Sequence, residues 1–460
     1  MSRSTLHGRH LVLLAAIFLV AFAAQTQANP VLIKIADSAT PVPGGGAAFQ
    51  FVQPPAIDGQ DVVFANRVFF GGTIGVYAYI DGALRVVADR STPIPNGTGT
   101  FSTFRGRPSI SDGVVAFIGY DAEENAALCM GSDPDNLVVL ADSSTLIPGS
   151  TETFTWFGVP WIKDGRIAFA GAGSDSSSYG VYVIEEGVWR TVATAATPIP
   201  PDQIETFDGF AQVALGGGVV AFSGWTSGWA PSGFYFERDG VLDYAADTNT
   251  DIPGGDGQFT PASAVNSPVS VDDGGRIVFT GKGSDSQSGI YTHIDGNLEC
   301  VADESSKFPG LGTQATNLAD AGIDGGHVAF TVGCCMSPGG MPVAVYTNLA
   351  GSLCKIVGPS DTLDGQTVTQ SGVGPRCISG NRIALWISLN QGTNWAIYVA
   401  EFYPGDLTGD RRVDLADLAE LLGHYNQRGA RTEGDIDGNG RINLADLEIL
   451  LMNYGMNWPD

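Results

Sequence analysis

The chain has 460 residues and a formal net charge of −26 at pH 7, from 49 acidic residues against 23 lysines and arginines. A surface this acidic repels phosphate backbones and anionic lipid headgroups, so the composition argues against nucleic-acid and anionic-membrane partners. It is compatible with divalent cations and with a highly soluble exported protein.

The first 28 residues have the pattern of a secretory signal peptide. Arg3 and Arg9 precede an uninterrupted apolar run from Leu11 to Ala24, and small and polar residues follow. The run is shorter than the roughly 20 residues that a membrane-spanning helix needs. The sequence therefore predicts a secreted, extracellular protein without a membrane span, cleaved near residues 23–28.

Six cysteines in an exported chain are compatible with disulfide bonds. They are Cys129, Cys300, Cys334, Cys335, Cys354 and Cys377. Six cysteines allow about 15 pairings, and the sequence leaves the choice open.

Between Val31 and Phe402 the sequence repeats with a period of about 53 residues. One recurring element reads ADSATPVPG from Ala36, and variants of it begin at Ala88, Ala141, Ala193, Ala246 and Ala302. A second element is a short apolar strand after a turn, beginning at Asp61, Gly113, Gly165, Gly218, Gly275, Gly326 and Asn381. The second element indicates seven equivalent structural units.

Each unit also contains an aromatic-rich strand such as GVYAYID and an alternating strand such as ALRVVAD, separated by a DG-type hairpin turn. Four short strands per unit resemble a β-propeller blade. The seventh unit ends after its third strand, Trp395–Phe402, whereas the chain begins with an unmatched fourth strand at Val31. We therefore predict a mainly β, seven-bladed propeller over residues 29–402, closed by the N-terminal strand; six blades or an open solenoid are the alternatives.

The long connections predict a candidate binding face. If the strands of a blade are labelled a to d from the axis outward, the b–c loops and the d–a connections share one face, here called the loop face. Function is usually carried by such loops. The b–c loop of the fourth unit contains Trp225 and Trp229 in a polar, glycine-rich stretch. Sugar rings stack on exposed indoles, so both are candidate ligand-binding residues; the alternative is that they cover the blade rim.

A carboxylate recurs before the turn of most units, at Asp37, Asp89, Asp142, Asp247 and Asp303. We interpret these residues as Asx-turn acceptors that cap the preceding strand rather than as a metal-binding or acid–base ring. Phenylalanine pairs recur in register with the repeat and indicate inter-blade core: Phe101 and Phe104, Phe154 and Phe157, Phe207 and Phe210.

Residues 405–455 contain a loop-plus-helix pattern twice. A calcium loop of the EF-hand type supplies oxygens from positions 1, 3, 5, 9 and 12, and a backbone carbonyl from position 7. The first copy has Asp406, Thr408, Asp410, Asp414 and Asp417 with the Arg412 carbonyl, and the second has Asp435, Asp437, Asn439, Asn443 and Asp446 with the Arg441 carbonyl. Position 6 is Gly440 in the second copy but Arg411 in the first, where a positive φ is unfavourable. We expect two calcium ions, the second bound more tightly.

These residues resemble the type I dockerin module, because no helix precedes either loop, position 12 is aspartate and each helix begins with Leu-Ala-Asp-Leu. The resemblance covers about the last 55 residues. It implies a small all-α, calcium-binding domain over residues 403–460 that docks on a cohesin-like module of a partner, in assemblies that most often deliver polysaccharide-degrading enzymes. Loop positions 10 and 11 influence partner choice in that family, and here they are Leu415-Ala416 and Leu444-Ala445. The alternative is a calcium-folded cap without a partner.

Little in the sequence indicates catalysis. Beyond the signal peptide the histidines are His293, His327 and His424, and no nucleophile elbow, phosphate loop or dinucleotide fingerprint is present. We expect a non-catalytic propeller that binds carbohydrate or protein. The alternatives are a polysaccharide-degrading glycoside hydrolase or lyase, since two carboxylates suffice for O-glycosyl hydrolysis, and a purely structural surface protein.

Overall fold

The structure is a computed structural model of the chain. It describes residues 30–457 apart from 46, 69–71, 202–203, 230, 262–266, 284–286, 335–341, 350–351, 409, 430–432 and 437–440. The predicted signal peptide lies outside the described residues. Among the residues it does describe, no helix is long and apolar enough to cross a membrane.

The strands follow the sequence repeat. An N-terminal strand, β1 (Val31–Asp37), precedes the first unit, which contains β2 (Phe51–Val52), β3 (Ala56–Asp58), β4 (Asp61–Val68), β5 (Gly72–Ile80) and β6 (Ala83–Asp89). The second unit contains β7 (Thr103–Ser111), β8 (Val114–Tyr120), β9 (Ala126–Gly131) and β10 (Val138–Asp142). The third contains β11 (Trp156–Phe157), β12 (Trp161–Lys163), β13 (Arg166–Ala172), β14 (Gly180–Glu185) and β15 (Val188–Thr194).

The later units have the same order. The fourth contains β16 (Gly209–Gly216), β17 (Val219–Trp225), β18 (Ser232–Arg238) and β19 (Val241–Asp247), and the fifth contains β20 (Val269–Val271), β21 (Ile277–Lys282), β22 (Ser288–Ile294) and β23 (Asn297–Asp303). The sixth contains β24 (Ala315–Asp324), β25 (His327–Cys334), β26 (Pro342–Thr347) and β27 (Cys354–Val357). The seventh contains β28 (Thr362–Leu363), β29 (Gln366–Gly372), β30 (Ile378–Ser379), β31 (Arg382–Leu389) and β32 (Asn394–Glu401).

Each unit is an antiparallel meander, as the fourth, fifth and sixth units show most simply with four strands in sequence order. The first two units are joined into one nine-stranded sheet through the single pair Thr73 and Phe104. The hairpin turns are of the predicted kind: Asp81 and Gly82 have φ of 53° and 75°, and Asp239 and Gly240 have 53° and 79°. Positive φ at both central residues defines the type I′ turn, which matches the twist of the flanking strands. The mainly β, repeated β-propeller architecture is therefore confirmed.

The N-terminal strand pairs with the last strand, as predicted. β1 runs antiparallel to β32 from Val31 opposite Glu401 to Asp37 opposite Ala396. Lys34 also ties β1 to the turn between β28 and β29, because its Nζ lies 2.8 Å from a carboxylate oxygen of Asp364. The chain thus covers the edge of its last sheet with its own first strand, which protects that edge from pairing with other chains.

A repeated aromatic pair fills the core between sheets. In five units a phenylalanine meets a tyrosine of the third strand edge to face, with ring centroids 4.9–5.4 Å apart: Phe49 with Tyr77, Phe154 with Tyr182, Phe207 with Tyr235, Phe259 with Tyr291, and Phe308 with Tyr346. In three of these units, glycine two residues before the tyrosine makes room for its ring. A β-carbon there would lie only 2.5–2.6 Å from the hydroxyl oxygen at Gly75, Gly180 and Gly289. The predicted phenylalanine pairs are all buried, which confirms their place in the core.

Turns between the first two strands of successive units are linked around the axis. A side chain in one turn accepts a hydrogen bond from a backbone N–H in the next: Asp58 from Asp112 (2.8 Å), Ser111 from Asp164 (3.2 Å), Asp272 from Gly326 (3.0 Å), Asp324 from Gly380 (2.7 Å) and Ser379 from Gly59 (2.9 Å). The bond from Gly59 to Ser379 connects the first unit to the last. Contact between these two units is incompatible with an open solenoid.

Two arginines cross the axis. Both terminal nitrogens of Arg107 lie 3.2 Å from Oδ1 of Asp320, joining the second unit to the sixth. The buried guanidinium of Arg376 lies 5.4 Å from the ring centroid of Trp161 and 3.8 Å from Asp58. Burial lowers the pKa of Arg376 to about 10. The cavity beside it holds only about 80 Å³, so side chains fill this part of the axis.

Candidate functional site

The two predicted calcium loops each lead into a short helix. The first helix, α1 (Leu415–Gly423), begins after Asp414, and the second, α2 (Leu444–Met452), begins after Asn443. Both starts are capping boxes, in which the side chain before the helix and the acid three residues later satisfy each other's backbone N–H groups. The acids are Asp417 and Asp446, whose side chains are fully buried. Positions 9 and 12 of each predicted loop therefore form the helix start.

The two copies fold against each other. Val413, before α1, exchanges backbone hydrogen bonds with Gly455 and Met456 after α2, and Ile442 makes the equivalent bonds to residues after α1. Their shared core consists of Val413, Leu421, Ile436, Ile442 and Leu450. Gly405 has a φ of 91°, and a β-carbon there would lie 3.3 Å from Leu450 Cα. Neither copy has a complete core alone.

The first loop wraps around Asp406. One carboxylate oxygen of Asp406 accepts from the N–H of Asp410 (3.2 Å) and the hydroxyl of Thr408 (3.4 Å), and the other accepts from the N–H of Arg411 (2.8 Å). Arg411 has a φ of 62°, which confirms that the turn at position 6 requires the left-handed conformation. Arginine thus makes this turn in place of glycine.

The donor set of the loops consists of hard oxygen atoms, which suits calcium. In the first loop these oxygens bond to the backbone: Asp410 accepts from the N–H of Arg412 (3.0 Å), and Asp417 accepts from those of Leu407 (2.8 Å) and Thr408 (3.0 Å). Within the described part of the chain, no group of three or more His, Cys, Asp and Glu side chains is arranged to hold a metal. Asp437 and Asn439 of the second loop lie outside that part. The oxygen chemistry suits calcium, and the carboxylates of the first loop would have to exchange their N–H partners to bind it.

Both helices expose leucine at equivalent positions. Leu415 and Leu444, at loop position 10, are 69% and 68% exposed, and Leu422 and Leu451, seven residues later, are 52% and 53% exposed. Residues seven apart on a helix lie on the same face. The adjacent Ala416 and Ala445 are also exposed. The predicted partner-binding residues thus lie at a duplicated apolar surface, here called the leucine surface and defined by these four leucines.

On the loop face, Trp225 and Trp229 stack on each other with centroids 6.0 Å apart and an interplanar angle of 19°. Gly209 lies beneath Trp225, since a β-carbon there would lie 2.5 Å from the indole ring. Trp225 therefore lies between Gly209 and Trp229 and is half-buried. Trp229 is 46% exposed and presents the outer indole.

A third tryptophan was not singled out by the sequence. Trp156, at the start of the third unit, is 36% exposed and pairs with Ala172, while at the equivalent pair of the fourth unit Gly209 lies opposite Trp225. In the third unit the tryptophan is on the first strand and the small residue on the second, whereas in the fourth unit the two are exchanged. Aligning the repeat units would have revealed this exchange. Two exposed indoles, Trp156 and Trp229, thus lie on the loop face of neighbouring units.

The recurring aspartates make the predicted Asx turns. Each accepts a hydrogen bond of 2.8–2.9 Å from the N–H two residues later, at Asp37, Asp89, Asp142, Asp247 and Asp303. Burial alone would raise the pKa of Asp142, but hydrogen bonds from Ser144 and Thr145 outweigh it and hold that pKa below its usual range. These carboxylates are explained by turn formation.

Several groups with nucleophilic or basic chemistry are buried or half-buried. The thiols of Cys129, Cys300 and Cys377 are not in disulfide bonds, and burial raises the pKa of Cys129 to about 12 and that of Cys300 to about 11. His293 packs 5.5 Å from Phe236, and burial lowers its pKa. Cys335 lies outside the described residues. None of the side chains of Cys129, Cys300, Cys377 and His293 is both exposed and held in a reactive protonation state.

A family model matches residues 19–228 and 115–401. It describes a family of unknown function, DUF7453. The chain belongs to this family. The two matches overlap, as expected for a repeated sequence, and both end before the C-terminal helices.

Several solved structures are similar in fold. The β-propeller domain of the Trilobed protease from Pyrococcus furiosus is 11% identical over 76% of this chain and 93% of that chain, with a TM-score of 0.43. Pyrococcus horikoshii acylaminoacyl peptidase is 13% identical over 75% of this chain and 52% of that chain, also at 0.43, so this chain spans about half of its length. A Bacteroides thetaiotaomicron protein of unknown function is 11% identical over 79% and 100%, with a TM-score of 0.34. No curated protein matches the sequence.

Proposed function

We propose that this chain is an exported, non-catalytic propeller of seven blades that attaches to a cohesin-like partner through its C-terminal segment, residues 403–460, in a calcium-dependent manner. The observation that carries the proposal is the leucine surface, because the same two leucines are exposed at equivalent positions of two helices that each follow a calcium-loop sequence. Exposed apolar side chains repeated in this way are typical of protein interaction sites.

Calcium would be held by the loop oxygens of both copies. Asp406 and Asp435 occupy position 1, and the buried Asp417 and Asp446 occupy position 12. The bound cation supplies positive charge that offsets the mutual repulsion of these carboxylates. Because position 12 is also the third residue of each helix, ordering a loop orients the leucine beside it. Docking would therefore require calcium.

Calorimetric titration of calcium into the mature chain, residues 29–460, tests the cation. We expect two binding events. Asp435→Asn should remove the tighter event and Asp406→Asn the weaker one, because each replaces a charged ligand at position 1. Glu448→Gln makes the same charge change on an exposed residue of α2 outside the loops and should change neither event. A mature chain that binds no calcium would refute the calcium-dependent docking.

Capture on a panel of purified cohesin-type modules, with calcium and with a chelator, tests the partner. Burying two-thirds of a leucine contributes about 1–2 kcal/mol, so Leu444→Asp should weaken binding by about fivefold to thirtyfold. Val188→Asp is the matched control, since Val188 is 69% exposed on an outer strand of the propeller, far from α2 in sequence. Equal loss in both variants, or binding that survives the chelator, would contradict the proposal.

We further propose that the loop face binds a neutral carbohydrate. The exposed indoles of Trp156 and Trp229 offer flat apolar surfaces for sugar rings, and the charge of −26 disfavours anionic polymers. Trp229→Ala and Trp156→Ala should each weaken binding to a soluble neutral polysaccharide in affinity electrophoresis, whereas Val188→Ala should not. Binding that both variants retain would refute this site. Sustained release of reducing ends would instead favour the hydrolase alternative.

A further inference from the structure

The C-terminal segment is joined to the propeller with little slack. Phe402 is buried in the core of the seventh unit, and its N–H donates to the carbonyl of Asn381 at 2.9 Å. Three residues later, Gly405 packs against Leu450 of α2. Only Tyr403 and Pro404 lie between a residue fixed in the propeller and a residue fixed in the C-terminal segment.

Tyr403 is itself held by the propeller. Its hydroxyl donates a hydrogen bond to one carboxylate oxygen of Glu401, the last residue of β32. The other oxygen of that carboxylate lies 2.7 Å from Arg382, which is on β31, and Glu401 is buried. Burial, together with the neighbouring Glu401 carboxylate, raises the pKa of Tyr403 to about 12, so the hydroxyl keeps its proton at neutral pH.

Arg411 connects this cluster to the first predicted calcium loop. Its guanidinium carbon lies 5.9 Å from the ring centroid of Tyr403, within the range of a cation–π contact. Its backbone N–H donates to Asp406 at 2.8 Å, and its φ is 62°. The second loop has Gly440 at this position. The contact with Tyr403 gives a reason for arginine at a place where the backbone favours glycine.

We propose that Arg411, Tyr403 and Glu401 form a lock that fixes the C-terminal segment against the propeller, and that Arg411 transmits the state of the first loop to this lock. Asp406 is position 1 of the loop, so a change in its hydrogen bonds moves the backbone of Arg411. A partner docked on the leucine surface would then stand at a set angle to the loop face. The lock goes beyond the proposed docking function. Only the calcium dependence of the lock rests on that proposed function.

Hydrogen exchange of the mature chain, read by mass spectrometry at residues 402–408, tests the lock. The amide of Asp406 donates to the carbonyl of Tyr403 at 3.2 Å and reports opening of this turn. Arg411→Gly should speed exchange there by about tenfold or more and raise the calcium affinity of the weaker site, because it removes both the contact and the unfavourable φ. Arg428→Ala, a change of an exposed arginine in the same segment, should do neither.

Tyr403→Ala separates the two effects. It should speed exchange as Arg411→Gly does without the gain in calcium affinity, because the backbone of Arg411 is unchanged. Unchanged exchange in both variants would overturn the lock. Faster exchange in both variants, but no effect of calcium on residues 402–408 of the unmodified chain, would overturn the coupling alone. Exchange measured in chelator tests the lock even if the docking proposal fails.

Discussion

The ion pair between Arg107 and Asp320 is a direct test of contact across the propeller axis. The two residues are 213 positions apart and belong to the second and sixth units, yet both arginine nitrogens lie 3.2 Å from one carboxylate oxygen. Their side chains are 32% and 23% exposed, so the pair is partly buried. Charge-assisted hydrogen bonds in such settings contribute about 1.5–3 kcal/mol, and partial screening by solvent reduces this to about 1–2 kcal/mol.

A double-mutant cycle measures this coupling directly. Arg107→Ala, Asp320→Ala and the double variant are unfolded in urea. The interaction free energy is the change in unfolding free energy of the double variant minus the sum of the changes of the two single variants. We expect about 1–2 kcal/mol. Arg85 and Asp81, 3.7 Å apart on an exposed hairpin, are the control pair and should couple by about 0.5 kcal/mol or less. A coupling below about 0.3 kcal/mol between Arg107 and Asp320 would refute this cross-axis contact.

Three further predictions follow from the core, the turns and the loops. Phe207→Ala should lower the free energy of unfolding by about 3–5 kcal/mol in urea denaturation, because it empties a fully buried site against Tyr235, whereas a loss below about 1.5 kcal/mol would contradict this packing. Asp142→Asn keeps the turn acceptor but loses the charge. Because the folded-state pKa of Asp142 is lowered, the unmodified chain should be more stable than the variant above the unfolded-state pKa of about 3.9. This difference in stability should vanish as the pH falls through the folded-state pKa. A difference that persists at low pH would contradict the assignment. Chelation of calcium should lower the melting temperature of α1 and α2, followed by circular dichroism at 222 nm, and Asp435→Asn should lose most of that response.

Local sequence patterns anticipated much of the structure because they report on local chemistry. The DG turns, the Asx turns at residues such as Asp142 and the left-handed backbone at Arg411 each depend on a few neighbouring residues. The pairing of β1 with β32 was also predictable, because an unmatched strand at one end complements an incomplete unit at the other. A repeat therefore carries long-range information that an ordinary sequence lacks.

Other features depend on contacts between residues that no local sequence pattern predicts. The contact of Arg107 with Asp320 depends on which side chains meet across the axis, and no local pattern encodes that meeting. The exposure of Trp156 was not predicted, because a single tryptophan at the start of a strand carries no sequence signal that separates an exposed ring from a buried one. The contact of Tyr403 with Arg411 joins the end of the propeller to the first predicted calcium loop, and no local pattern predicts it. The calcium loops and the docking partner stay predictions.

The position of β32 also has a mechanical consequence. This strand is hydrogen-bonded on both sides, to β1 and to β31, and it continues directly into the C-terminal segment. If that segment is anchored and the propeller is pulled by a bound ligand, the tension enters the protein along β32. To separate from β1 and β31, β32 must then slide along both strands, so many hydrogen bonds must break together rather than one at a time. β1 thus gives β32 a second hydrogen-bonded neighbour and doubles the number of strand pairs that resist the force.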